Sequence, residues 1–157
     1  DKREINGNKK QCIMSKEHYQ KLENMYFAAP INKFYNPTIT VKECTAEITI
    51  AVKEDFFHAA NAVHGSVYFK MLDDAAFFAV NSIVEDVFVL TGTFETKLLR
   101  PITEGEIVAK GIISSNWGNK FEAEAELFNA KGKLVATGKG TFIKSKILLE
   151  SIDSFKI

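Results

Sequence analysis

Two aspartates, Asp73 and Asp74, interrupt the run GSVYFKMLDDAAFFAVNSI, which is otherwise almost wholly apolar. On a helix adjacent residues point about 100° apart, so the two carboxylates cannot share one role. Asp74 follows Lys70 by one turn, the spacing of a surface ion pair. Asp73 has Phe69 and Phe77 at the same spacing, and only the weaker i−3 pairing with Lys70 is open to it. A carboxylate among Phe and Ala is held above its ordinary pKa, which suits a general base or a nucleophile.

Just upstream, Asn61-Ala62-Val63-His64-Gly65-Ser66 leads into the same run. The first amides of a helix have no acceptor within it, and the dipole there is positive. Such an end can polarise a carbonyl oxygen and hold the oxyanion formed under attack. A glycine lets a ligand approach the backbone. Taken alone, Gly65 as a turn residue and His64 as a cap are the simpler explanation.

These residues need an element to carry them. The run from Gly65 to about Ile83 predicts one helix, roughly 28 Å long at 1.5 Å per residue. Being apolar nearly all round, it must be buried on most sides. In a chain of 157 residues only a sheet can cover it. Strand patterns begin at Thr38, with Ile48, Ile50 and Val52 alternating against Thr49 and Ala51. After the helix come Val87 to Leu99, Glu106 to Ser115, Lys120 to Asn129 and Leu134 to Lys144. In the third of these, Phe121, Ala123, Ala125 and Leu127 face one way and Glu122, Glu124 and Glu126 the other. The expected fold is α+β: a curved antiparallel sheet wrapped around one long buried helix. Residues 1–14 read as a flexible polar lead-in, 15–144 as the single domain and 145–157 as a tail. Ser15 is the expected cap of a helix running to about Phe27, with Tyr19, Leu22, Met25 and Tyr26 on its packing stripe. Pro30 and Pro37 bracket a loop, and a short helix is expected from Lys146.

Lys plus Arg and Asp plus Glu are 20 each, so there is no basic excess for nucleic acid or an anionic membrane. No stretch is long and apolar enough to span a bilayer. The polar N-terminus lacks the apolar core of a signal peptide, and a cytoplasmic protein is expected. Cys12 and Cys44 match no metal spacing and read as free thiols in a reducing compartment. No metal is implied. Glu122, Glu124 and Glu126 fit a solvated strand face, and Trp117 a packing residue before an adenine contact. Without a Gly-x-Ser-x-Gly elbow, Ser66 beside His64 is not a dyad.

The constellation resembles the acyl-CoA thioesterases of the 4-hydroxybenzoyl-CoA thioesterase superfamily, in the phenylacetyl-CoA (PaaI-like) branch. That branch carries Asn-x5-His-Gly-Gly-x6-Asp-x2-Ala. Here the motif reads His58, AANAV, His64-Gly65-Ser66, VYFKML, Asp73, DA, Ala76. Leu99-Arg100-Pro101 and the closing KGKLVATGKGTF also match, so the resemblance runs from about Thr38 to Lys144.

What the resemblance implies is a hotdog fold that hydrolyses an acyl-CoA thioester with no cofactor, coenzyme A being part of the substrate. Gly65 N–H would polarise the thioester carbonyl, His64 would position it, and Asp73 would be base or nucleophile. Thr91, ten residues before Pro101, is the assisting hydroxyl, with Thr93 pointing the same way. His58 and Ser66 depart from the family's Asn and Gly. They count as substrate contacts together with Asn61, which is a possible substitute for His58. Arg100 and Lys120 are candidate partners for the CoA phosphates. A histidine at position 58 would make activity fall below about pH 6.5, as protonation removes its acceptor. The rivals are a hotdog dehydratase or hydratase and a non-catalytic acyl-CoA binder.

Geometry adds one requirement. Gly65 and Asp73 lie about 12 Å apart along one helix, too far to meet at one carbon. Two helices crossing a twofold axis would bring them together, so a homo-oligomer is expected, a dimer or a dimer of dimers.

Overall fold

A computed structural model describes the backbone of residues 4–157 and the side chains of residues 16–157. Helices α1 (Glu4–Ala28) and α2 (Asn32–Tyr35) precede strands β1 (Thr38–Lys42) and β2 (Thr45–Ala51). The long helix α3 (Gly65–Asn81) follows, then β3 (Val87–Leu98), β4 (Glu106–Trp117), β5 (Lys120–Phe128) and β6 (Leu134–Leu148). The strands form one antiparallel sheet in the order β1-β2-β4-β5-β6-β3. Two strands, a helix and four more strands is the order expected from the sequence.

The sheet packs around α3, which meets β2, β3, β4, β5 and β6. Its demand for burial is met: Val67, Met71, Leu72, Ala75, Ala76, Ala79 and Val80 are at most 2% exposed. They face Ile48, Ile50, Ala109, Phe121, Ala123, Ala125 and Leu127, so the alternation in β5 turns its apolar face inward. Contact is closest at Gly111 on β4, where a Cβ would stand 2.2 Å from the carbonyl oxygen of Ala75. Only glycine lets the helix lie that deep.

The end of α3 is tied to the start of β3 through Asn81, which is fully buried. Its amide nitrogen donates to Val84 O and Val87 O, and its Oδ1 accepts from Val89 N–H. The His18 ring of α1 lies 2.8 Å from Asn81 O, while Leu22, Met25 and Tyr26 are buried beside it. The expected stripe on α1 therefore does pack.

Several expectations need correction. The backbone is helical from Glu4, so Ser15 lies inside α1 and does not cap it. The loop between Pro30 and Pro37 contains the single turn α2. The tail forms no α-helix from Lys146, because β6 continues to Leu148 to keep pairing with β3 at Val87. A 3-10 turn at Leu149–Ser151 then buries Leu149. Trp117 is 60% exposed and is not a packing residue within this chain. Cys44 is a free thiol at the β1–β2 turn; the side chain of Cys12 lies outside the described ones. Among the described residues, no helix is long and apolar enough to cross a membrane.

Candidate active site

One face of α3 runs along β3, an edge strand of the sheet, in the opposite direction. Gly65 lies against Leu98, Phe69 against Phe94, Asp73 against Thr91 and Phe77 against Phe88. The i, i+4 spacing of the helix thus delivers every residue of this row to the sheet edge.

Asp73 holds the centre of the row. Its Oδ1 accepts the Thr91 hydroxyl at 2.9 Å, and Oδ2 has no partner among the described residues. Burial raises its pKa from 3.8 to about 6; the Thr91 hydrogen bond and Lys70 pull it down, while Asp74 pushes it up. The carboxylate is therefore kept out of an ion pair, as its apolar neighbours suggested. Thr91 stands where the sequence placed it. Thr93 does not: the ladder shifts register between Thr91 and Thr93, and Thr93 turns to Thr141, with their hydroxyl oxygens 2.7 Å apart. A bulge of this kind re-aims side chains beyond it.

Asp74 pairs with Lys70 as expected, but not at the surface. The Lys70 and Asp74 side chains are 11% and 21% exposed. Tyr26 of α1 donates its hydroxyl to Asp74 at 2.7 Å, and the Lys70 ammonium lies over the Tyr26 and Tyr35 rings. Burial and Asp74 push the Tyr26 hydroxyl well above the ordinary tyrosine range, keeping it a donor. The sequence put Tyr26 on a packing stripe but gave no sign of this hydrogen bond, because 48 residues separate it from its partner.

At the other end of the row, His64 is the N-cap of α3. Its Nδ1 accepts Ser66 N–H at 3.0 Å and lies 2.8 Å from Ser66 Oγ. Neutral His64 then carries its proton on Nε2, a free donor. Gly65 N–H has no acceptor among the described residues. Tyr68 O–H donates to Arg100 O at 2.8 Å, pinning the end of β3 to this turn. Ser66 thus serves His64, a role the sequence reading assigned to substrate contact alone.

His58 spends Nδ1 on Ala60 N–H at 3.1 Å, so the donor-and-acceptor role expected of it is half taken. Asn61 sits in the left-handed region (φ 63°), which Asn tolerates, and this turn explains the residue type. Arg100 and Lys120 are both exposed, but one chain does not bring them together. Arg100 N–H bonds Val135 O near the start of β6, whereas Lys120 pairs with Ile143 near its end. That separation is about 26 Å along the strand.

An antiparallel sheet around a single helix, with a carboxylate and a free helix-start amide on the sheet-edge face, defines a hotdog protein of the thioesterase type. The family model described as Thioesterase superfamily matches residues 60–136, a span that holds both ends of the row. The chain belongs to this thioesterase superfamily. A protein of Archaeoglobus fulgidus, named only provisionally as an esterase, is 31% identical over 104 residues, 66% of each chain. The E. coli PaaI protein from the phenylacetic acid degradation operon superimposes with a TM-score of 0.78 at 21% identity, over 85% of this chain and 97% of that one. A thioesterase structure from Haemophilus influenzae gives 0.70 at 17% identity, over 76% and 85% of the two chains. At these identities the structures establish the hotdog fold.

Proposed function

We propose that the chain hydrolyses an acyl-CoA thioester, in the manner of the phenylacetyl-CoA branch, and that each site is shared by two copies. Gly65 N–H of one copy, with His64 Nε2–H beside it, polarises the carbonyl oxygen. Asp73 of the other takes a proton from the attacking water through its free Oδ2. Water oxygen bonds to the carbonyl carbon, the C–S bond breaks, and the thiolate of CoA leaves and is protonated. Arg100 and Lys120 of different copies remain candidates for the CoA phosphates.

The observation that carries this reading is Asp73: a half-buried carboxylate with, among the described residues, no cation paired to it, one oxygen held by Thr91 and the other open. Support for a shared site comes from β3. It is a 12-residue edge strand on which Leu90 and Leu98 are 49% and 54% exposed. A long apolar edge of this kind is usually covered. Pairing two β3 strands antiparallel would carry Thr91 and Asp73 of one copy toward Leu98 and Gly65 of the other.

The test is thiol release from a panel of acyl-CoA esters, aliphatic and aromatic. Turnover of at least one of them is expected; binding without turnover across the panel would favour the non-catalytic reading instead.

A further inference from the structure

The row between Gly65 and Asp73 is filled by the Phe94 ring, and the sequence reading gave it no role. The ring lies 5.5 Å from that of Phe69, one turn before Asp73, and 6.4 Å from that of Phe142, which pairs with Thr91. Beneath it, β6 carries Gly138 and Gly140 on the inner face. A Cβ on Gly140 would stand 2.5 Å from both the Phe94 ring and the carbonyl oxygen of Thr93, so the backbone alone already demands glycine there. Gly138 differs: its Cβ would meet the ring at 2.5 Å, but backbone only at 3.4 Å, an ordinary contact. Gly138 is therefore small for the sake of Phe94. Thr96, which pairs with Gly138, has its Oγ1 buried with no hydrogen-bond partner.

We propose that Phe94 is the specificity-determining residue of this site: its ring plugs a trench over Gly138 and so limits the length of the acyl group. This rests on the thioesterase reading above. A carbonyl held between Gly65 of one copy and Asp73 of the other directs its acyl group along the Phe69 and Phe94 rings of the row, and with the Phe94 ring in place there is apolar contact for a short or flat group only. A longer tail must displace the ring or stay in water.

The experiment measures kcat/KM for butyryl-CoA and dodecanoyl-CoA with the wild type, Phe94→Leu, Phe94→Ala and Phe94→Ala/Gly138→Val. The ratio of the two values within one protein is independent of how much of it is folded. Burying two or three more methylenes, each worth about 4-fold, should raise the dodecanoyl-to-butyryl ratio about 15- to 60-fold in Phe94→Ala. Phe94→Leu should fall between, and Gly138→Val should return the ratio toward the wild-type value by refilling the trench. An unchanged ratio in Phe94→Ala, or no reversal by Gly138→Val, overturns the proposal. Should no thioester be hydrolysed, the function proposed above fails by itself. The plug is then read from calorimetric Kd values for butyl and dodecyl thioether analogues of CoA, where the same shift supports it and a constant preference overturns it.

Discussion

At the scale of single residues, Asp73 and Asp74 differ by what surrounds them. Asp73→Asn removes the base and should lower kcat by about two to four decades. Asp74→Asn should leave kcat within about threefold while costing about 1–3 kcal/mol, because it leaves the Lys70 ammonium and the Tyr26 hydroxyl partly buried without their anion. Asp73 must be ionised to act, so kcat/KM of the wild type should fall as pH drops through about 6, and His58→Asn should leave that limb in place. Stability has the opposite dependence. With the folded pKa raised from 3.8 to about 6, the stability Asp73 contributes is fully present below the lower value and lost as pH rises through the higher. Partial exposure limits this to about 1–2 kcal/mol. Asp73→Asn should therefore raise Tm at pH 8 relative to the wild type and bring less gain at pH 4. An active Asp73→Asn protein beside a dead Asp74→Asn protein would overturn the assignment.

At the scale of elements, the site depends on how deep α3 lies in the sheet and on where β3 bulges. Gly111 sets the depth. Gly111→Ala must push β4 away from the Ala75 carbonyl, at a cost of about 3 kcal/mol or more. For a domain of this size that lowers Tm by about 6–12 °C in a thermal melt. An unchanged Tm would mean that the helix does not sit where Gly111 implies. The bulge after Thr91 sends Thr91 inward to Asp73, sends Thr93 outward and brings Phe94 back inward onto β6. A regular strand would have put Thr93 where Phe94 now lies. Period-two reading of β3 fails at this bulge, whose one sequence signal is a glycine, Gly92, in mid-strand.

At the scale of the whole molecule, the 12 Å along α3 between Gly65 and Asp73 argues for two copies per site. Mixing Gly65→Pro protein, which loses the polarising N–H at a helix position that accepts proline, with Asp73→Asn protein should restore activity. A mixed dimer has one site with both lesions and one with neither. Recovery should approach about one quarter of the wild-type rate if exchange is random, since half of the dimers are then mixed and each has one intact site of two. No recovery after subunit exchange has been shown by mass spectrometry would place both groups of each site in one chain.

The element order, the burial of α3 and the different surroundings of Asp73 and Asp74 were legible in the sequence. Each follows from a local rule: apolar content around a helix, alternation along a strand, and the i, i+4 spacing that gives Asp74 a lysine and Asp73 two phenylalanines. The helix start pointed to Gly65 and His64, and the family resemblance to Thr91. What needed the packed molecule was that Tyr26 completes the Lys70–Asp74 pair, that Ser66 orients His64 and that Arg100 and Lys120 are held far apart along β6. It alone showed that the Phe94 ring occupies the space above Gly138. The reason is physical. Local patterns report which way a side chain points from its own element, whereas those contacts join elements that only the packing of the sheet around α3 brings within reach.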